Sequence, residues 1–221
     1  LYLLFNRMIS NITEGVLISK NPHIVPSPKS LGISSQCKAI PEKIQRPLKT
    51  KFLSAAFLNV QEGAMGYRWK HLRKWLEKQA NDGVLFVGLS ELNGWEEMES
   101  PTDISTNRAK IVFKGAGSGF VYSHILKNQL NPYNIGILSI LPFEVLGEYG
   151  SPWFSRGVLH VFYSKFNLHV LIVHLYGDNP KSKEIEAMKI KEIVQPILEK
   201  NGKLILMGDF NTLSPVDKMY L

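Results

Sequence analysis

The sequence has a single cysteine, Cys37. One thiol cannot close an internal disulfide, so Cys37 reads as an ordinary free thiol and the fold must rest on its core. No apolar run approaches the roughly 20 residues of a membrane-spanning helix. No segment repeats. Gly115-Ala116-Gly117-Ser118-Gly119 is glycine-rich, but no Gly-Lys-Ser/Thr follows it, which excludes a phosphate-cradling P-loop. The chain does not start with Met, and Leu1-Tyr2-Leu3-Leu4-Phe5 reads equally as the tail of a signal sequence or as a short packing segment. Asn11-Ile12-Thr13 is a glycosylation sequon, meaningful only in a secreted protein. Compartment and oligomeric state therefore stay open.

What is present is an ordinary globular balance. The 221 residues are 44% hydrophobic and 20% charged, enough for one domain with a sizeable core. The net charge of +7 is unevenly placed. Residues 1–50 hold seven Lys/Arg against two Asp/Glu, and residues 51–221 hold 19 against 17. The basic excess belongs mainly to the N-terminal arm, which weakens any step from charge to nucleic-acid binding by the rest. Pro22, Pro26, Pro28, Pro41 and Pro47 break that arm into an irregular segment, so residues 1–50 are read as a basic, proline-rich arm and 51–221 as the domain.

Within 51–221 the pattern is mixed α/β. Strands are expected at 52–59, 84–90, 134–140 and 143–149, a hairpin at 157–163 and 168–175, and a last strand at 203–207. Tyr67–Ala80 reads as a helix with Trp69, Leu72 and Leu76 on one face, while Arg68, Lys70 and Lys74 form a solvated or phosphate-tracking face. Lys183–Lys200 reads as a helix packing through Ile185, Met188, Ile193 and Ile197, with Pro196 near its end. Residues 94–103 read as an acidic loop.

Four of these strands, "FLSAAFLN", "VLFVGLSE", "LHVLIVH" and "KLILMGD", carry apolar residues on both faces, as strands covered on both sides do. Each ends in a residue able to bind metal or phosphate: Asn59, Glu91, His174 and Asp209, with Asn211 two positions later. The alternative is that the whole set is solvated strand ends with Asn caps. If all converge, the carboxylates repel unless a cation lies between them. A hard cation such as Mg²⁺ takes one or two carboxylates, water and substrate phosphate.

At these residues the sequence resembles the endonuclease/exonuclease/phosphatase superfamily of metal-dependent phosphoesterases. "GDFNT" is the most specific piece; "AAFLN", "VGLSELNGW", "NIGILSILPFEV" and "RGVLHVFY…LHVLIVHLYG" match in order over residues 51–221. The resemblance implies a sandwich of two mixed β-sheets flanked by helices, an α/β (α+β) fold. It implies Glu91 as the main Mg²⁺ ligand, with Mn²⁺ as an alternative ion, and Asn59 beside it, directly or through water. Asp209 would orient or deprotonate water, Asn211 would bond a phosphate oxygen, and His174 would stabilise charge on the phosphate or the leaving oxygen. The implied activity is hydrolysis of a phosphodiester or phosphomonoester by water attacking phosphorus. Nucleic acids, phospholipids and inositol phosphates share this residue set, so the substrate class stays open.

Two departures stand out. Ser90 stands where the family usually has Gln, which alters support for Glu91. The family's closing Ser-Asp-His signature has no counterpart, because no His follows Asp209 and Asp217 precedes Lys218-Met219. The fold is thus expected to be incomplete at its C-terminus, and this stretch alone is expected to be nearly inactive. A catalytically inactive relative that serves as a binding scaffold is the alternative. Elsewhere, His160 and His169 read as structural, and Arg156 as a phosphate contact or a surface ion pair. Tyr176 and Trp95 read as candidates for shaping the cleft.

Overall fold

Residues 53–64, 67–95, 119–177 and 179–211 are described by the computed structural model, and all lie in one unit spanning Gln36–Leu221. The expectations for the arm, Cys37, the acidic loop beyond Trp95, most of the glycine-rich stretch and Asp217 fall outside these residues. The elements run β1 (Ala55–Asn59), α1 (Arg68–Asn81), β2 (Phe86–Ser90), β3 (Tyr122–Leu126), β4 (Ile135–Ser139), β5 (Glu144–Tyr149), β6 (Gly157–Tyr163), β7 (Leu168–His174), α2 (Pro180–Glu199) and β8 (Lys203–Asp209). A single turn, Gln61–Ala64, follows β1, and a 3₁₀ turn, Ser164–Phe166, joins β6 to β7.

The strands form two mixed four-stranded sheets, in the orders β1-β2-β4-β3 and β5-β6-β7-β8. β1 pairs parallel with β2, and β7 parallel with β8; every other pair is antiparallel. Parallel neighbours need a crossover, and α1 and α2 supply the two that occur. The sheets pack face to face. Phe86, Ile135 and Ile137 of the first meet Leu159, Val161, Tyr163, Val170 and Ile172 of the second in one buried cluster. The Phe86 and Tyr163 rings stack across it at 5.3 Å. At Gly88 in β2 there is no room for a side chain: a Cβ there would meet Met207 Sδ at 3.1 Å and Ile172 Cγ1 at 3.3 Å in the facing sheet, and Phe57 Cδ2 of neighbouring β1 at 3.2 Å.

α1 covers the outer face of the first sheet. Leu72 and Leu76, one helical turn apart, are buried against Val87, Leu89 and Leu138, which stabilises by about 1.5–3 kcal/mol per leucine. Arg73–Glu77 and Lys78–Asp82 ion pairs occupy its exposed side. α2 starts three residues before the expected Lys183. The Asn179 side chain accepts from the Lys181 and Ser182 N–H groups, and Pro180 takes the first helical position. Pro196 lies inside its final turn.

Three expectations are corrected. α2 buries Glu186, Ile190, Val194 and Ile197, whereas Ile185 and Met188 are 53% and 44% exposed. A carboxylate on the inward stripe disguised that stripe in an apolar pattern. β4 and β5 belong to different sheets, so Ile140–Phe143 carries the chain across the sandwich. β1 and β8 are only partly buried, since among the described strands each ends its sheet. β3 was not expected as a strand at all.

Candidate active site

Both parallel pairs point their C-terminal ends at one rim. Register places Asn59 opposite Ser90, with Glu91 next in the chain, and His174 opposite Asp209. The Asn59 side-chain nitrogen donates to Glu91 Oε1 and to Asp209 Oδ2, each at 2.9 Å, and so bridges the two sheets. Its oxygen accepts from the Gln61 N–H at 2.9 Å. Asn59 therefore turns its nitrogen, not its oxygen, toward the carboxylates.

Glu91 is held by the turn that follows β1. The Glu62 N–H donates to Glu91 Oε2 at 3.0 Å, and the Gly63 N–H donates to the Glu91 carbonyl at 2.7 Å. The geometry is strained. Gln61, Glu62, Gly63 and Ala64 all have φ between 50° and 71°, and Glu91 has φ 57°. Side-chain-bearing residues in this region each cost about 1–3 kcal/mol, and such strain clusters at functional sites. Gly63 admits no replacement easily, since a Cβ would lie 2.1 Å from the Asn93 carbonyl oxygen.

The Gly-Asp-Phe-Asn segment has the same logic. Gly208 has φ 153° and presses on β7, where a Cβ would lie 2.0 Å from the Val173 carbonyl oxygen. Only glycine fits, and this close approach sets Asp209 beside His174. The Asn211 N–H donates to Asp209 Oδ1 at 2.9 Å, leaving Oδ2 to face Asn59. The Asn211 amide donates to the Leu175 carbonyl at 2.8 Å. Lys183 of α2 holds the Asn211 carbonyl.

His174 is fully buried, with Nε2 4.0 Å from Glu91 Oε1 and 3.9 Å from Asp209 Oδ2. Arg156 Nη1 donates to that same Nε2. A guanidinium only donates, so Nε2 is the acceptor and the ring proton sits on Nδ1, which has no partner among the described residues. Burial, then the Arg156 charge, pushes His174 down to about 4, against the opposing pull of Asp209 and Glu91. The ring is neutral at pH 7. Arg156 Cζ also lies 4.7 Å over the Tyr133 ring, whose edge meets His174 at 6.0 Å.

All five expected residues thus gather on one rim, and the sequence reading missed Tyr133 there. Arg156 pairs with no carboxylate among the described residues; it faces the rim. Trp95 does not line a cleft: it is buried, with its indole N–H on the Gly63 carbonyl at 3.2 Å. Tyr176 contributes its N–H to Glu186. His160 and His169 lie apart on the second sheet, bonded to each other at 3.0 Å. Ser90 is fully buried, and its hydroxyl finds no partner among the described residues.

Ligand atoms of Glu91, His174 and Asp209 all lie within 4.8 Å of one another. The donor chemistry fits a hard divalent cation. Two carboxylates with side chains 17% and 28% exposed converge, while the imidazole nitrogen is taken by Arg156. Glu91 is the residue that would hold it, with Asp209 facing it across the rim.

Solved structures share this arrangement of two mixed sheets. A D. rerio TDP2 humanized by 14 mutations is 18% identical with a TM-score of 0.50, covering 76% of this chain and 65% of its own. C. elegans TDP2 is 14% identical at TM-score 0.50, covering 76% of this chain and 50% of its own. An endonuclease/exonuclease/phosphatase family protein from Leptotrichia buccalis C-1013-b is 16% identical at TM-score 0.49, covering 74% and 71%. At these identities the likeness is one of fold. The chain spans about 65% of the length of the first of these neighbours and half of the second. No family model matches the sequence, and no curated protein matches it.

Proposed function

We propose that residues 51–221 form a domain of a Mg²⁺-dependent phosphoester hydrolase, and that the rim is its active centre. The observation that carries this reading is the meeting of Glu91, Asp209 and His174 within 4.8 Å, on a fold shared with phosphoesterases. When bound, Mg²⁺, or Mn²⁺ in its place, supplies Lewis-acid polarisation of a phosphoryl oxygen and offsets the carboxylate charge.

The side chains supply fixed donors and a base. Glu91, oriented by the Glu62 N–H, presents its charge to the cation. Asp209 has one oxygen on the Asn211 N–H; the other accepts from Asn59 at the rim, and its remaining lone pair orients a water and accepts its proton as it attacks phosphorus. One hydrogen of the Asn211 amide is used on Leu175, and the second is left for a non-bridging phosphate oxygen. His174, neutral and accepting from Arg156, acts by aiming the guanidinium, and Arg156 meets the developing phosphoryl charge. Nucleic acid, phospholipid and inositol phosphate substrates all present the phosphoester this set addresses.

The test is hydrolysis of bis-p-nitrophenyl phosphate and p-nitrophenyl phosphate across a Mg²⁺ titration. Glu91→Gln keeps the shape and removes the charge. Mg²⁺-dependent kcat/KM should fall on the order of 10²-fold or more, with circular dichroism unchanged. Equal activity and equal Mg²⁺ dependence in that variant would remove Glu91 from its role.

A further inference from the structure

Glu186 is a buried carboxylate, 3% exposed, hydrogen-bonded to Ser155 and Tyr176. Its two oxygens take three donors from two separate segments. Oε1 accepts the Ser155 N–H at 2.8 Å and the Ser155 hydroxyl at 2.9 Å; Oε2 accepts the Tyr176 N–H at 2.8 Å. Ser155 immediately precedes Arg156, and Tyr176 lies two residues past His174. We propose that Glu186 is a positioning residue for the Arg156–His174 pair, fixing the two backbones at the spacing that lets the guanidinium reach the imidazole. This rests on the reading of the rim as a phosphoester centre.

The surroundings support it. The Asn128 amide donates to the Ser155 and Arg156 carbonyls at 2.8 and 2.9 Å, and the Asn131 amide donates to the Ser155 carbonyl at 2.8 Å. The Ser155 N–H is thus held from α2, and the carbonyls of Ser155 and Arg156 from the β3–β4 loop. The chain that carries Arg156 is gripped on both sides. Ile190, Val194 and Ile197 fill the rest of the inward stripe of α2 with apolar side chains. Packing alone would be served by another of these, because a buried carboxylate has a desolvation cost that its hydrogen bonds must offset. What the carboxylate adds is direction. Both oxygens act as acceptors, so a glutamine of equal volume would turn an NH₂ group toward an N–H donor and lose one of the two attachments.

The experiment compares kcat/KM on bis-p-nitrophenyl phosphate for the wild type, Glu186→Gln, Arg156→Ala and the double variant. If Glu186 acts through Arg156, Glu186→Gln lowers kcat/KM about tenfold or more in the wild type and less than about twofold beside Arg156→Ala, the signature of coupled sites. An equal loss in both backgrounds, or no loss, overturns the proposal. Ser155→Ala removes only the hydroxyl attachment and should show a smaller loss with the same dependence on Arg156; it decides the matter if Glu186→Gln does not fold. A nuclear Overhauser contact between the Arg156 side chain and the His174 ring gives a readout independent of turnover. It should be present in the wild type and lost in Glu186→Gln, and its persistence refutes the clamp. A wild type that shows this contact and a clamp-dependent loss of it, yet no Mg²⁺-dependent hydrolysis, sinks the functional reading and leaves the clamp standing.

Discussion

Asn59→Ala removes the only amide that stands between Glu91 and Asp209 among the described residues. In the wild type its nitrogen donates to both carboxylates at 2.9 Å. A hydrogen bond to a charged group contributes about 1.5–3 kcal/mol. Two unit charges 4.8 Å apart, the outer limit for these ligand atoms, repel by about 3 kcal/mol at an effective dielectric constant of roughly 20. Both side chains reach some solvent, which screens part of this, so the expected loss without a cation is about 2–4 kcal/mol. At about 2–4 °C per kcal/mol for a domain of this size, Tm falls by roughly 5–15 °C in EDTA. Mg²⁺ then does in the variant what the amide does in the wild type. The Mg²⁺-induced rise in Tm should therefore be larger in Asn59→Ala than in the wild type. Thermal unfolding followed by circular dichroism, with EDTA and with saturating Mg²⁺, reads both quantities. A smaller Mg²⁺ response in the variant would mean that Asn59 is itself a ligand. An unchanged Tm in EDTA would refute the repulsion on which the metal site rests.

Two further outcomes are expected. Ser90→Ala deletes a buried hydroxyl that lacks a partner among the described residues, so it should leave Tm unchanged or raise it by a few degrees, up to about 1 kcal/mol; a loss above 1 kcal/mol by urea titration would show that the hydroxyl is engaged. Acid should destabilise the fold over a defined window. Burial, then His169, pushes His160 down to about 4, and burial, then Arg156, does the same to His174. Their unfolded values lie near 6.5, so between pH 6.5 and 4 the unfolded chain binds more protons. The stabilisation is complete above pH 6.5 and is lost as pH falls toward 4, at up to about 3 kcal/mol per ring. Urea midpoints should fall across that range, with a shallower slope in His160→Gln, and a flat profile from pH 7 to 4.5 would contradict the burial of both rings.

The polar tips were legible because an apolar run that stops at an acid, an amide or an imidazole marks where a strand reaches solvent. Asn59, Glu91, His174 and Asp209 announced themselves in that way. Periodicity carries no information about which strand stands at the side of a sheet, so β1 and β8 were expected to be as buried as β2 and β7. β3 escaped notice because Ser123 and His124 interrupt a short strand that follows glycines. Glu186 misled the reading of α2 because a charged residue on the inward face makes the neighbouring Ile185 and Met188 look like the core side. Trp95 was judged by the acids beside it, whereas its own ring found a place beneath the turn, edge to face with Trp69 at 5.7 Å. Tyr133 had no signal in the sequence, since a ring that supports a guanidinium is visible only in three dimensions.

The bare position at Gly88 gives the sandwich a ruler. Asn59 and Glu91 come from one sheet, His174 and Asp209 from the other, and no strand is common to both. The gap between the two carboxylates therefore depends on how closely the layers approach, together with the turn whose Glu62 N–H holds Glu91. A methyl group at position 88 would press on Met207 and Ile172 of the facing sheet and on Phe57 of its own, and these neighbours would have to give by a few tenths of an ångström. That is the margin separating a Mg–O bond of about 2.0–2.1 Å from a Ca–O bond of about 2.3–2.6 Å. If the rim holds a cation as proposed, its preference for one ion over another would be set in part from behind, by core residues away from the rim.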